Sequence, residues 1–187
     1  QRSAAMLDAT GLRCASGILF SRAAHAAYEL TSFKLGVRLL ETATEHCLAE
    51  KQERVAAGYV KRIAFYKKID GDFEGALAAL LRLEGIWRGL GERREIAGVV
   101  SSQVTELTSL GRWDEADVKF DEAIKIAIAL GDRVLEADIL MTGANACGLR
   151  SDYDCALVRA RQAVSMREAL GDKKKLATAM GDLGKLL

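Results

Sequence analysis

Residues Gly111 to Arg150 read GRWDEADVKFDEAIKIAIALGDRVLEADILMTGANACGLR. The stretch holds two amphipathic helices, Arg112 to Ala129 and Asp132 to Leu149, broken by Gly131-Asp132. A glycine after the last helical turn takes the left-handed conformation that ends a helix. The acid behind it is placed to cap the first amides of the next one. The same break stands at Leu90-Gly91-Glu92 and Leu170-Gly171-Asp172, so the unit is repeated.

Laid out in blocks of forty, the chain aligns with itself. Blocks begin at Thr31, Gly71, Gly111 and Ser151, and residues 1–30 fill the end of an earlier one. The third position is aromatic: Phe33, Phe73, Trp113, Tyr153. The sixth is small: Gly36, Ala76, Ala116, Ala156. The twenty-seventh is small as well (Gly17, Ala57, Ala97, Ala137, Ala177), and the thirtieth large and apolar (Phe20, Val60, Val100, Leu140, Met180). Small residues let two helix backbones approach, and the bulky one fills the gap beside them. A second break falls at each block boundary: Asp70-Gly71-Asp72, Leu110-Gly111-Arg112, Arg150-Ser151-Asp152, and most weakly Leu30-Thr31-Ser32. Glu50-Lys51-Gln52 occupies a turn position without glycine, and we expect that turn to be less regular.

These columns resemble the tetratricopeptide repeat (TPR), lengthened to forty residues. The family's small residue in its first helix is matched by Ala24, Ala64, Ala144 and Gly184, and not by Val104. Its Gly-x-aromatic turn, two alanines and aromatic are matched by Gly111, Trp113, Ala116, Ala123 and Phe120. Gly71, Phe73, Ala76 and Leu80 match most of that pattern. The family's terminal proline is missing, since the chain has no proline; the Gly-Asp turn stands in its place. The resemblance spans essentially the whole chain. It implies an all-α fold, a right-handed α-solenoid of antiparallel helix hairpins forming a TPR-like superhelix. Long repeats of this Leu-Gly-Asp kind look like those of polarity adaptors, cytoskeletal and ciliary assembly proteins, and bacterial signalling regulators.

We expect one domain over 1–187, with repeats near 12–50, 52–90, 92–130 and 132–170, a partial repeat at 172–187, and 1–9 ending a preceding helix. Helices are expected at Leu12–Leu30, Ser32–Ala49, Gln52–Ile69, Asp72–Gly89, Glu92–Ser109, Arg112–Ala129, Asp132–Leu149, Asp152–Ala169 and Asp172–Leu187. Each runs roughly 25 Å at 1.5 Å per residue. The 187 residues are 50% hydrophobic and 28% charged, enough to bury a core. A net charge of +1 supplies no global field toward nucleic acid or membrane. No apolar run is long enough to span a bilayer. There is no signal peptide, the chain opens at Gln1, and its first block is truncated; we read it as a segment of a longer intracellular, cytoplasmic protein, with cytoskeletal or ciliary association as an option.

In the family, the first helix of each pair (helix A) lines the concave groove. Carried onto this chain, the groove positions are Arg22, His25 and Tyr28, then Lys61, Arg62, Phe65 and Lys68. Ser101, Ser102 and Thr105 follow, then Met141, Thr142 and Asn145, and Lys185 last. The early groove is basic with aromatics: residues 1–70 hold 11 Lys and Arg against 7 Asp and Glu. One reading places an acidic peptide or helix there, anchored by Tyr28 and Phe65. The other takes these as solvated charges on an ordinary helix face. The family's carboxylate clamp, a Lys followed four residues later by Asn, is not matched: Lys61 precedes Phe65, and Met141 precedes Asn145.

No motif points to catalysis, a cofactor or a metal. His25 and His46 lie on different helices with no nucleophile placed beside them by sequence. His46 shares a column with Ile86, Ile126 and Met166 and reads as a packing residue. Asp114-Glu115 and Asp121-Glu122 read as helix-surface charges. Gly89-Leu90-Gly91 follows a helix, not a strand, so it is no phosphate loop. Lys173-Lys174-Lys175 is too short for a nucleic-acid site. Trp87 breaks its column (Cys47, Ala127, Arg167) and reads as packing against a neighbouring hairpin, with an exposed anchor as the alternative. Folding the hairpins brings Cys14 level with Cys47 and Cys147 level with Cys155. We favour free, buried thiols over disulfides, and the absence of CxxC spacing argues against zinc. The function expected is a non-catalytic scaffold or adaptor for a peptide, helix or partner domain, with a ligand-sensing module of a larger regulator as the alternative.

Overall fold

The computed structural model describes residues 20–26, 28, 32–171 and 181. Residues 20–26 and 28 are helical, and seven complete helices follow: α1 (Phe33–Ala49), α2 (Glu53–Ile69), α3 (Phe73–Leu90), α4 (Arg93–Ser109), α5 (Trp113–Leu130), α6 (Arg133–Leu149) and α7 (Tyr153–Ala169). Among the described residues there is no strand. Each helix begins one residue after its expected start, because Ser32, Gln52, Glu92, Arg112, Asp132 and Asp152 are caps rather than first helical residues. The expectations at 1–9, Cys14, Gly17, Lys173 to Lys175, Ala177, Met180, Gly184, Lys185 and the final leucines lie outside the described residues.

The chain divides into two compact units, Gln1–Leu90 and Gly91–Leu187. In the first, α2 packs against both α1 and α3. In the second, α4 pairs with α5 and α6 with α7, and α6 also lies against α4 and α5. The repeat columns are the buried seams. Ala76, Ala116 and Ala156 are buried, as are Ala57, Ala97, Ala137, Val60, Val100 and Leu140. Among the described residues, Leu40, Leu83 and Ile139 are the largest apolar side chains shut away completely. Each contributes about 1.5–3 kcal/mol by leaving water.

Gly71, Gly91, Gly111, Gly131 and Gly171 all adopt φ between +66° and +80°. Two other turns depart from expectation. Lys51 (φ +57°) and Ser151 (φ +65°) take the same left-handed conformation without being glycine. The Lys51 turn is not irregular: Lys51 N–H donates to Leu48 O (3.0 Å) and Gln52 N–H to Cys47 O (2.8 Å). Gly71 N–H to Lys68 O and Asp72 N–H to Lys67 O close the neighbouring turn in the same way. Backbone bonding, rather than glycine, sets this geometry, and the side chain carries the strain.

The capping expectation divides by side-chain length. Asp72, Asp132 and Asp152 accept from the amides of Gly75 (2.8 Å), Leu135 (2.9 Å) and Cys155 (3.1 Å). Glu92, one methylene longer, makes no cap bond. The amide bonds come first among the causes holding the Asp72 and Asp132 carboxyls below their usual value.

The cysteines correct our reading. Cys147 and Cys155 are joined across the α6–α7 hairpin, with Cα atoms 5.9 Å apart. Cys47 is not a free thiol either. The turn that makes the hairpin tight, Leu149 to Asp152, brings Cys147 and Cys155 to that separation, within disulfide reach. Beside this bond the guanidinium of Arg159 lies 3.8 Å from the centroid of the buried Phe120 ring and donates to Gly143 O at 3.3 Å. Burial pulls the Arg159 pKa below its ordinary value.

Candidate functional site

Three repeat positions of helix A form the candidate contact surface, with four of their side chains considered in each unit. In the first unit they are His25 and Tyr28 on the leading helix, with Arg62 and Phe65 on α2. In the second, eighty residues on, they are Thr105 and Thr108 on α4, with Thr142 and Asn145 on α6. Helical spacing of three places each pair on one face.

The first-unit seam is filled with rings. Tyr28 stacks on Tyr66 with centroids 5.3 Å apart and lies 6.0 Å from Phe65 and 5.8 Å from Phe33. His25 stands edge-on to Tyr28 at 6.5 Å. Arg62 Nη1 donates to Ser21 Oγ (2.6 Å) and Nη2 to the Tyr66 hydroxyl (3.0 Å), which donates to Ala24 O (3.3 Å). Arg62 is therefore half-buried and committed to holding two helix A segments together. Phe65 keeps 49% of its surface in water although its ring sits in the cluster. Arg22, His25 and Lys61 are exposed, and Lys68 is half-buried. The structure thus brings Tyr28, Arg62, Phe65 and His25 together. Lys61 and Lys68 stand on the same α2 helix.

Tyr66 at the centre of the cluster was not among the residues expected from sequence. Its column reads Ala26, Tyr66, Glu106, Ala146, and the one ring in a column otherwise of alanine and glutamate was the signal. Gly36 makes room for it, since a Cβ there would lie 2.8 Å from the Tyr66 ring.

The second-unit seam carries no rings. Thr105, Thr108, Thr142, Asn145, Ala146 and Leu149 line a small, partly open cavity of about 90 Å³. Thr105, Thr142 and Asn145, carried over from the resemblance as groove positions, line it together with Thr108. Ser101 and Met141 do not face a groove: both are buried. Ser102 is exposed, its hydroxyl donating to Gly98 O at 3.0 Å. A wider depression of about 610 Å³ lies elsewhere in this unit, floored by Ile124, Ile128, Leu140 and Met166.

The remaining sequence candidates are structural. Half-buried His46 sits 5.6 Å from the Phe20 ring. Glu115 pairs with Arg112 (2.7 Å) and Glu122 with Lys119 (3.2 Å) along α5. Trp87 is half-buried. Among the described residues, no cluster of His, Cys, Asp and Glu has the arrangement of a metal site, and no helix is long and apolar enough to cross a membrane.

No family model and no curated protein matches the sequence. Solved structures do match. The chain is similar to a signal transduction ATPase with numerous domains carrying a tetratricopeptide repeat sensor, from Pyrococcus horikoshii: TM-score 0.77, 19% identity, over 91% of this chain and 27% of that one. It is similar to a Rap protein complexed with Competence and Sporulation Factor: TM-score 0.71, 14% identity, over 89% of this chain and 47% of that one. Kinesin light chain TPR-like repeats from Podospora anserina match with TM-score 0.60 and 11% identity, over 89% of this chain and 92% of that one. The chain thus spans about a quarter to a half of the first two proteins. Hairpins with buried small-residue columns, left-handed turns every repeat and these three likenesses agree: the chain has the fold of the tetratricopeptide-like repeat proteins.

Proposed function

We propose that this chain is a non-catalytic interaction module whose helix A faces bind a protein or peptide, as a scaffold or adaptor within a larger protein or assembly. The observation that carries the reading is Phe65. A ring half in water, set in an aromatic cluster and flanked on α2 by Lys61 and Lys68, is what an apolar side chain in an acidic stretch would seat against. Arg22, His25, Tyr28 and Arg62 complete that face, and Thr105 and Asn145 occupy its counterpart in the second unit. A folded repeat presents these side chains on rigid helices, so binding costs little ordering of the receptor.

A second reading keeps the same face and makes it a sensor within a larger regulator. Two likenesses favour it: one protein is described as carrying a tetratricopeptide repeat sensor, the other was solved with a factor bound.

The test is the double variant Lys61→Glu, Phe65→Ala. Both side chains are exposed, so the fold is spared, whereas Arg62 is a structural tie and a poorer choice. A partner captured by the wild-type chain should be lost by the variant at low salt. Capture at wild-type strength, with an unchanged circular dichroism spectrum, removes this face from the function.

A further inference from the structure

We infer that the cavity between α4 and α6 is a receptor for one uncharged amide group. This rests on the reading that helix A faces are contact surface and goes further by naming what one seam takes. Three observations carry it. The first is the equivalence of positions. The places held by His25, Tyr28, Arg62 and Phe65 in one unit are held by Thr105, Thr108, Thr142 and Asn145 in the other. Where rings and a guanidinium close the first seam, short side chains leave a space of about 90 Å³ in the second. That is room for about three waters, or for a few heavy atoms of a ligand.

The second observation is Thr108. It is 3% exposed, it lines the cavity, and its hydroxyl oxygen has no hydrogen-bond partner. Buried hydroxyls are ordinarily satisfied, so this one marks a place where a partner belongs. The third is the chemistry of the lining. None of the six residues is ionisable, which disfavours a charged group that would have to shed its water. The Thr142 hydroxyl already donates to Asp138 O (3.1 Å), leaving it only lone pairs to offer. The Thr108 hydroxyl is free to donate, and the exposed Asn145 carboxamide does both. A donor-seeking oxygen beside a free donor is answered by an amide, with its N–H and C=O. A carboxylate brings no donor for Thr142, and an alcohol has one atom for both tasks.

The experiment uses the whole chain with methyl-labelled threonine, titrated with acetamide, N-methylacetamide and sodium acetate while the threonine methyl resonances are followed. The Thr105 and Thr108 signals should move saturably with an amide and not with acetate. Tighter response to N-methylacetamide identifies a peptide main chain as the natural source; tighter response to acetamide identifies an Asn or Gln side chain. Thr108→Val, which keeps the shape and deletes the hydroxyl, should weaken the amide about tenfold, the worth of one hydrogen bond. Its melting temperature should equal or exceed the wild type's, because an unpaired buried hydroxyl is gone. Asn145→Ala, at an exposed position, should weaken the amide as well. Shifts that stay linear, meaning that ordered water alone fills the space, an equal response to acetate, or unchanged amide binding by Thr108→Val, meaning that its hydroxyl is not the donor, each overturn the proposal. Because these probes are not proteins, that failure is separate from the fate of the Lys61→Glu, Phe65→Ala variant.

Discussion

Replacing Lys51 and Ser151 by glycine should stabilise the protein. Both residues sit at φ near +60°, where an L side chain crowds the following carbonyl and costs roughly 1–2 kcal/mol. Glycine removes that cost and adds freedom to the unfolded chain, which takes back about 0.4–1 kcal/mol. The net expectation is about 0.5–1 kcal/mol for each substitution. Both side chains are exposed, so little packing is lost, and the two turns lie in different units, so the gains should add. The same reasoning run backwards gives the control: Gly71→Ala, at φ +80°, should cost about 1 kcal/mol. Thermal and urea unfolding followed by circular dichroism measure all four proteins. At this chain length each kcal/mol moves the midpoint by roughly 2–4 °C. If Ser151→Gly leaves the midpoint where it was while Gly71→Ala lowers it, the left-handed geometry at 151 is unstrained and the argument fails there. If neither moves it, backbone conformation is not what these turns select for.

Two further outcomes follow from packing and capping. Gly143→Ala drives a methyl group into the Phe120 ring and close to the Arg159 guanidinium that covers it, and should destabilise by about 1–3 kcal/mol; an unchanged urea midpoint would show that the ring simply moves away. Asp132→Ala removes the bond to Leu135 N–H and the 2.8 Å pair with Arg94, and should cost about 1 kcal/mol at neutral pH. Because the folded carboxyl lies below its ordinary 3.8, its contribution is fully present above that value. The contribution fades as pH falls through the lowered folded value, so the gap between wild type and variant should close in acid. A gap that stays constant from about pH 7 to pH 2 would assign the loss to something other than the carboxylate.

How much of this was legible beforehand depends on which interactions each residue answers to. The columns at Ala76, Ala116 and Ala156 could be read because one packing requirement recurs every forty residues and leaves a small side chain each time. The turns were legible for the same reason, until Lys51 and Ser151 showed that the bonding pattern outlasts the glycine that advertises it. The disulfide at Cys147 and Cys155 was not legible, since spacing gives proximity but says nothing of whether two thiols join. The candidate site divides along the same line. His25, Phe65, Thr105 and Asn145 share one column, and the resemblance to the repeat family marked them as groove positions. Ser101 and Met141 share a column with exposed Lys61 yet are buried, because a long charged side chain reaches water from a position that buries a short or apolar one. Thr108 shares its column with Tyr28 and Lys68, and nothing in that column singles it out. Its meaning comes from its surroundings, a buried hydroxyl lining a small space with no protein partner for its oxygen, and such surroundings arise only on folding. A repeat protein makes its scaffold readable by repeating it; what it binds is written where equivalent positions disagree.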